Sequence, residues 1–146
     1  MAVQRERVIQ TAEKHVSKGR IDAAIREYRK VLSDHPDDVS TLNRLGDLYA
    51  RVQQYDEAVS LFERIAESYT DDGFFVKAIA IYKKIIKLDP TRLSVYEQLA
   101  ELYHKQGLVP EARTQYQVLA DYYLKHGDTG SAVGIYRKMV ELEPDN

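Results

Sequence analysis

The residue types that most often carry out chemistry are sparse in this sequence. Its four histidines, at positions 15, 35, 104 and 126, are scattered. One of them ends the stretch Glu101-Leu-Tyr-His104, whose Glu-x-x-His spacing occurs in di-iron helical bundles. Such a centre needs a second pair of this kind and two further glutamates, and the sequence contains no second pair. We therefore expect no metal site, and the histidines suit packing or solvated positions better than catalysis.

Other catalytic and cofactor-binding patterns are missing as well. With no cysteine, thiol catalysis, disulfides and zinc–thiolate sites are excluded. The sequence has neither a glycine-rich phosphate loop nor a nucleophile elbow. Its 11 tyrosines, some beside lysines as in AIYKK (80–84), could stack on nucleic-acid bases. Most of them occupy repeating positions expected to be buried, and the net charge is −2, so we expect no enzyme, no cofactor and no nucleic-acid binding.

The composition indicates a globular, all-α chain. In 146 residues, 44% are hydrophobic and 30% charged, which suits one folded domain and not a disordered segment. Apolar runs are too short for a membrane span, and the first ten residues lack the apolar core of a secretory signal, so we expect a cytoplasmic protein. The glycines lie mostly in short polar turns, and strict two-residue alternation is absent, which favours helices over strands.

The elements that position these residues repeat every 54 positions. Aligning the sequence with itself at this shift matches glycines, alanines, tyrosines and prolines: Gly19, Gly73 and Gly127; Ala24, Ala78 and Ala132; Tyr28, Tyr82 and Tyr136; Pro36, Pro90 and Pro144. Residues 39–92 and 93–146 form two full units, and residues 1–38 form a partial one. We predict one domain over 1–146 that is part of a longer protein.

Within each unit the pattern resembles the tetratricopeptide repeat, a 34-residue helix–turn–helix. The fullest match is Leu42, Leu45-Gly46, Tyr49, Ala58 and Phe62, and a second is Tyr96, Leu99-Ala100, Tyr103, Ala112 and Tyr116. The resemblance implies antiparallel helix hairpins stacked into a right-handed α-solenoid. General likeness of the repeat also suggests a bacterial source.

The spacing departs from that family. Successive turn alanines, at positions 24, 58, 78, 112 and 132, are separated by 34, 20, 34 and 20 residues. Twenty residues hold only one helix and a turn, so we infer that helices 55–70 and 109–125 each belong to two hairpins. The sequence thus predicts eight helices, at 2–17, 21–33, 38–51, 55–70, 74–87, 92–105, 109–125 and 129–142.

The resemblance also implies a binding surface, because first helices in this family line a concave face. The slots on that face hold eight carboxylates, at positions 6, 13, 47, 63, 67, 97, 101 and 121. The candidate partner-binding residues are Glu13, Asn43, Arg44, Asp47, Glu97, Glu101 and Asp121. Two interpretations stay open: a groove that steers a basic ligand, and a merely solvated acidic face. Only Asn43-Arg44 suits the grip on a carboxylate terminus known in the family, so that mode is disfavoured.

The predicted function is a non-catalytic scaffold that binds a peptide, a helix or a partner domain. One alternative is self-assembly through the end of the last helix, whose apolar residues Ile135, Met139 and Val140 have no following helix in the sequence. Another is a regulatory domain of a larger enzyme. A basic pair also follows each repeat tyrosine, namely Arg29-Lys30, Lys83-Lys84 and Arg137-Lys138, and could either complement helix dipoles or contact an acidic partner.

Overall fold

A computed structural model describes residues 2–143, which form eight α-helices. These are α1 (Ala2–Ser17), α2 (Ile21–Asp34), α3 (Val39–Arg51), α4 (Tyr55–Asp71), α5 (Phe75–Leu88), α6 (Leu93–Lys105), α7 (Val109–Lys125) and α8 (Thr129–Leu142). Each boundary lies within one residue of the prediction. The all-α fold of tetratricopeptide-like helix hairpins, an α-solenoid, is confirmed.

Most turns end a helix with a residue of positive φ. Gly19, Gly73, Gly107 and Gly127 have φ between 74° and 81°, a region that glycine enters without a Cβ clash. The next N–H then reaches back five residues, as from Arg20 to the carbonyl of His15 at 2.8 Å, which satisfies a carbonyl at the helix end. In the turn after α3, Gln53 takes this place at φ 63°.

A second kind of turn, built on proline, follows α2 and α5. Pro36 and Pro90 come just after these helices, where a residue without an N–H cannot continue the helical hydrogen bonds. After Pro36, the Asp38 carboxylate caps α3 by accepting a hydrogen bond from the N–H of Thr41 at 3.3 Å. The third repeated proline, Pro144, lies outside the described residues.

The order of the turns repeats with the same period as the sequence. Helices α4 and α7, at 17 residues each, are the longest, and both are preceded and followed by a turn of the positive-φ kind. Both α2 and α5 instead run from a positive-φ turn to a proline turn. Two positive-φ turns therefore separate successive proline turns, which matches three helices in 54 residues.

The chain divides into two compact units between Ser68 and Tyr69, inside α4. Unit 1 holds α1 to α3 and most of α4. Its core includes Ala24, Ala58 and Phe62, all completely buried. The Phe62 ring packs on Gly46, and a Cβ added to that glycine would lie 2.8 Å from ring atoms Cε1 and Cζ. Glycine is therefore needed here for a close approach of side chain to backbone.

Unit 2 holds the end of α4 and helices α5 to α8. Here α6 packs on α5 and α7, and α7 packs on α8. Ala78, Ala112 and Ala132 are buried, as expected for alanines where paired helices come close. Tyr116 and Ala100 occupy the repeat positions that Phe62 and Gly46 hold in unit 1. The division into sequence units 39–92 and 93–146 stays a prediction.

Candidate functional site

A depression of about 380 Å³ in unit 1 brings together three of the predicted binding residues. Glu13, Arg44 and Asp47 give it a charged rim, while its apolar surface comes from Val16 of α1, Tyr28 of α2 and Leu48 of α3. The helical spacing accounts for this arrangement, because positions 44, 47 and 48 lie on one face of α3. An apolar floor with a few charged groups around it is the usual make-up of a ligand site.

The rim charges are already partly paired. Arg44 Nη1 donates to Glu13 Oε1 at 3.0 Å, and both side chains are about half exposed. The predicted concave-face positions hold eight carboxylates, and Arg44 is the one cation predicted beside them. Arg44 is paired with one of those carboxylates, Glu13. An exposed pair of this kind contributes less than about 1 kcal/mol to stability, so a ligand can exchange with either partner at little cost.

In unit 2 the predicted residues Glu97 and Glu101 lie around the buried Tyr116. Glu97 accepts a hydrogen bond from Lys138 of α8, and this bond is the largest cause of the raised pKa of Lys138. Burial raises the pKa of Tyr116, and the charge of Glu101 raises it further. The two glutamates and Lys138 thus form one charged cluster around the buried ring of Tyr116.

The other two predicted residues lie apart from these groups. Asp121 is exposed on α7 and accepts a hydrogen bond from Gln117 Nε2 at 2.8 Å, one turn earlier on the same helix. Asn43 is half-buried on α3, next to Arg44. The structure therefore groups the predicted residues by unit, with Glu13, Arg44 and Asp47 in one and Glu97 and Glu101 in the other.

Sequence reasoning missed that a repeated basic residue reaches this acidic surface. Lys138 belongs to the third basic pair, yet it bonds to Glu97, which is 41 positions away in the chain. Lys30, its counterpart in the first pair, bonds to Glu27 of its own helix at 2.9 Å. Equivalent lysines thus differ in their partners. The prediction that the three basic pairs contact an acidic partner stays untested.

An exposed aromatic cluster at the α4–α5 turn was also missed. The Phe74 ring meets Tyr69 edge-on at 6.4 Å, and Lys77 Nζ lies 5.1 Å from the Phe74 centroid. A phenylalanine is usually expected in the core. The repeat could have indicated that position 74 is exposed, because the equivalent positions hold the polar residues Arg20 and Asp128.

Neither a metal cluster nor a membrane helix occurs among residues 2–143. No three His, Asp or Glu side chains in this range lie close enough together to hold a metal ion. Likewise, no helix in it combines the length and apolar character that crossing a bilayer requires.

Comparison with known proteins agrees with the helix pattern. The tetratricopeptide repeat family model matches residues 15–74, and the PPR repeat model matches residues 116–143. A human relative, tetratricopeptide repeat protein 21A, is 25% identical over an alignment that covers 80% of this chain. That alignment covers 11% of the relative, so the chain spans about a tenth of the relative's length.

Solved structures of similar chains include the MamA protein, with 22% identity, a TM-score of 0.44, and coverage of 99% of this chain and 94% of that one. A thermophilic TPR protein of Thermus thermophilus has 17% identity, a TM-score of 0.40, and coverage of 97% and 93%. The family match over 15–74, together with the eight helices and their repeated glycines, alanines and aromatics, supports a helical-repeat chain of the tetratricopeptide type.

Proposed function

We propose that the chain is a non-catalytic protein-interaction scaffold, and that the depression in unit 1 binds a segment of a partner protein. The observation that carries this is the combination of an apolar floor with a charged rim on an otherwise polar helix surface. The half-buried Val16 and the small exposed parts of Tyr28 and Leu48 give a modest apolar contribution to binding, and the rim charges give orientation and selectivity.

The rim favours a basic side chain in the ligand. Glu13 and Asp47 carry two negative charges and Arg44 one positive charge, which leaves a formal charge of −1 around the depression. The stem of a lysine or arginine would lie on Tyr28 and Leu48, and its cation would take the place of Arg44 beside Glu13. Long basic side chains commonly bury their methylenes in this way while the charge stays at the rim.

An alternative ligand is a carboxylate, favoured by the adjacent Asn43 and Arg44 on α3. The two ligands predict opposite effects of removing Arg44. With Arg44→Gln, a basic ligand no longer competes with the arginine for Glu13 and should bind more tightly. A carboxylate ligand would instead lose its counter-charge and bind more weakly.

The test is a peptide array whose members differ only in having Lys, Glu or Leu at the central position. We expect the lysine series to bind best, to weaken about tenfold with Asp47→Asn, which corresponds to about 1.4 kcal/mol, and to strengthen with Arg44→Gln. Asp56→Asn, which removes an exposed carboxylate at the start of α4, is the matched control and should change nothing. Preference for the glutamate series, or equal effects of both Asp variants, would refute the basic-ligand proposal.

A further inference from the structure

Helix α5 carries four lysines and no acidic residue. Its outward side includes two lysines and two apolar residues that helical spacing places in one line, with a third lysine beside that line. We call these five exposed residues the α5 face: Val76, Lys77, Ala80, Lys83 and Lys87. In a solenoid each helix is covered mainly by its neighbours in the chain, and α5 has α4 before it and α6 after it. The α5 face is therefore an outer surface of an internal helix.

The equivalent helices of the repeat do not share this charge. Helix α2 has three basic and three acidic residues, and α8 has two basic residues and one acidic residue. Where α5 has Val76 and Lys87, α2 has Asp22 and Ser33. The same fold is thus built without a basic outer face, so folding does not require these lysines.

The lysines of the α5 face also lack the partners that neutralise their relatives. Lys30 donates to Glu27 and Lys138 donates to Glu97, and both are repeat equivalents of the fourth α5 lysine, Lys84. Within residues 2–143, none of the three lysines of the α5 face forms an ion pair. Two of them lie near aromatic rings instead, with Lys83 Nζ 5.9 Å from the centroid of Tyr103 and Lys77 Nζ 5.7 Å from that of Tyr69. Their positive charge therefore stays available to a ligand.

The helix dipole does not account for this arrangement. Lys87, in the last turn, complements the dipole, but Lys77 lies in the first turn, where a cation opposes it. Lys83 and Lys87 are one turn apart on the same side, so they repel each other. The charges of the face thus weaken the isolated helix, and an anionic ligand would relieve that repulsion.

We propose that the α5 face binds an acidic segment of a partner protein that lies along the helix. Lys77 and Lys87 are ten residues apart, which is about 15 Å along the helix axis. An extended segment of about five residues covers that length. Carboxylates of the segment pair with the lysines, and one of its apolar side chains covers Val76, which is 69% exposed.

A protein segment fits this face better than an anionic membrane does. Phe74, which precedes the face, is 53% exposed and would be the first side chain to enter a bilayer. Asp71 and Asp72 come directly before it and are exposed, so a flat anionic surface at Phe74 would also meet two like charges. A narrow segment avoids these aspartates by following α5 away from the turn.

The first test titrates the fluorescein-labelled peptide Glu-Glu-Leu-Glu-Glu-Leu-Glu-Glu onto the chain and follows its anisotropy. We expect saturable binding, at least tenfold weaker binding of the same peptide with Gln at every Glu, and an at least tenfold loss when Lys83→Glu and Lys87→Glu are combined. The matched control combines Lys18→Glu and Lys125→Glu, which changes the net charge equally at two exposed lysines away from the face, and it should weaken binding less than twofold. Circular dichroism checks that both variants keep their helices. Equal binding of the two peptides, or equal losses in the two double variants, would overturn the proposal.

The second test separates this surface from other ligands and from the depression in unit 1. Asp47→Asn, which should weaken a lysine peptide in that depression, should leave binding of the acidic peptide unchanged, so the two proposals can fail independently. A loss with Asp47→Asn as large as that with the α5 double variant would overturn the proposal. So would vesicles of equal parts phosphatidylserine and phosphatidylcholine that bind the parent chain more tightly than the acidic peptide does and lose binding in the α5 double variant, because the ligand of the face would then be a lipid surface.

Discussion

The contact between Phe62 and Gly46 makes a sharp stability prediction. Gly46 lies inside α3, where glycine is a poor helix former, and replacement by alanine would ordinarily stabilise the helix by about 1 kcal/mol. Here, however, the new Cβ would lie 2.8 Å from two atoms of a completely buried ring. We expect Gly46→Ala to destabilise the chain instead.

The magnitude follows from two opposing effects. Carbon atoms in contact prefer a separation of about 3.5–4.0 Å, so the Phe62 ring would have to move by about 0.7 Å or more. Forcing extra volume into a packed core costs about 1–3 kcal/mol. After the helix-propensity gain of about 1 kcal/mol, the net loss should be about 1 kcal/mol.

A double-mutant cycle in urea isolates the clash from everything else. Phe62→Leu shortens the side chain and removes the ring atoms that the Cβ would meet. In that background Gly46→Ala should be neutral or stabilising, which gives a coupling energy of about 1–3 kcal/mol between the two positions. At the equivalent positions unit 2 has Ala100 and Tyr116, both buried.

The control is Gly134→Ala on α8. This glycine is exposed, and an added Cβ there would meet no atom within 4 Å, so only the propensity gain of about 1 kcal/mol should appear. If Gly46→Ala stabilised the chain as much as Gly134→Ala, or if the coupling to Phe62 were close to zero, the packing argument would be refuted.

Two further predictions concern turns. Gln53 adopts a left-handed φ of 63°, a region that its repeat equivalent Gly107 enters without strain. Gln53→Gly should therefore raise the free energy of unfolding by about 1 kcal/mol, and Gly107→Gln should lower it by a similar amount. Changes of the same sign in urea unfolding would contradict this. Asp38→Ala should cost about 1 kcal/mol at pH 7, because the cap of α3 is lost. The hydrogen bond from Arg5 Nε at 2.5 Å, with help from the N–H of Thr41, holds the pKa of Asp38 below its usual value. The stabilisation by the ionised Asp38 carboxylate is therefore complete above about pH 3.9 and is lost as the pH falls through the lower folded-state pKa. The difference in unfolding free energy between Asp38→Ala and the parent should therefore shrink below about pH 4. A difference that stays constant down to about pH 2 would show that the carboxylate does not act through its charge.

The helices were predictable because their ends are marked by residues with a backbone requirement. Gly19 and Gly73 supply a positive φ, and Pro36 ends a run of helical hydrogen bonds, so both kinds of helix end can be read from the sequence. The turn at Gln53 carries no such mark. It was placed by the repeat, because Ala58 follows Ala24 by 34 residues and marks the start of the next helix.

The charge pairs of the surface could not be predicted in the same way. Glu13 and Arg44 are 31 residues apart, and Glu97 and Lys138 are 41 apart, so each pair depends on how neighbouring helices cross. A one-turn change in that crossing would break either pair while leaving every sequence pattern intact. The list of carboxylates on the predicted concave face therefore overstated the acidity of that surface, since it left out the cations that reach them.

Ionic strength tests what holds a ligand in the unit 1 depression. Binding in the unit 1 depression depends on exposed charges, Glu13 and Asp47 against Arg44, and salt screens interactions between such groups over about 8 Å at physiological strength. A lysine peptide bound in the depression should therefore lose affinity as salt is added, and an affinity that does not change with salt would show that the rim charges do not hold the ligand.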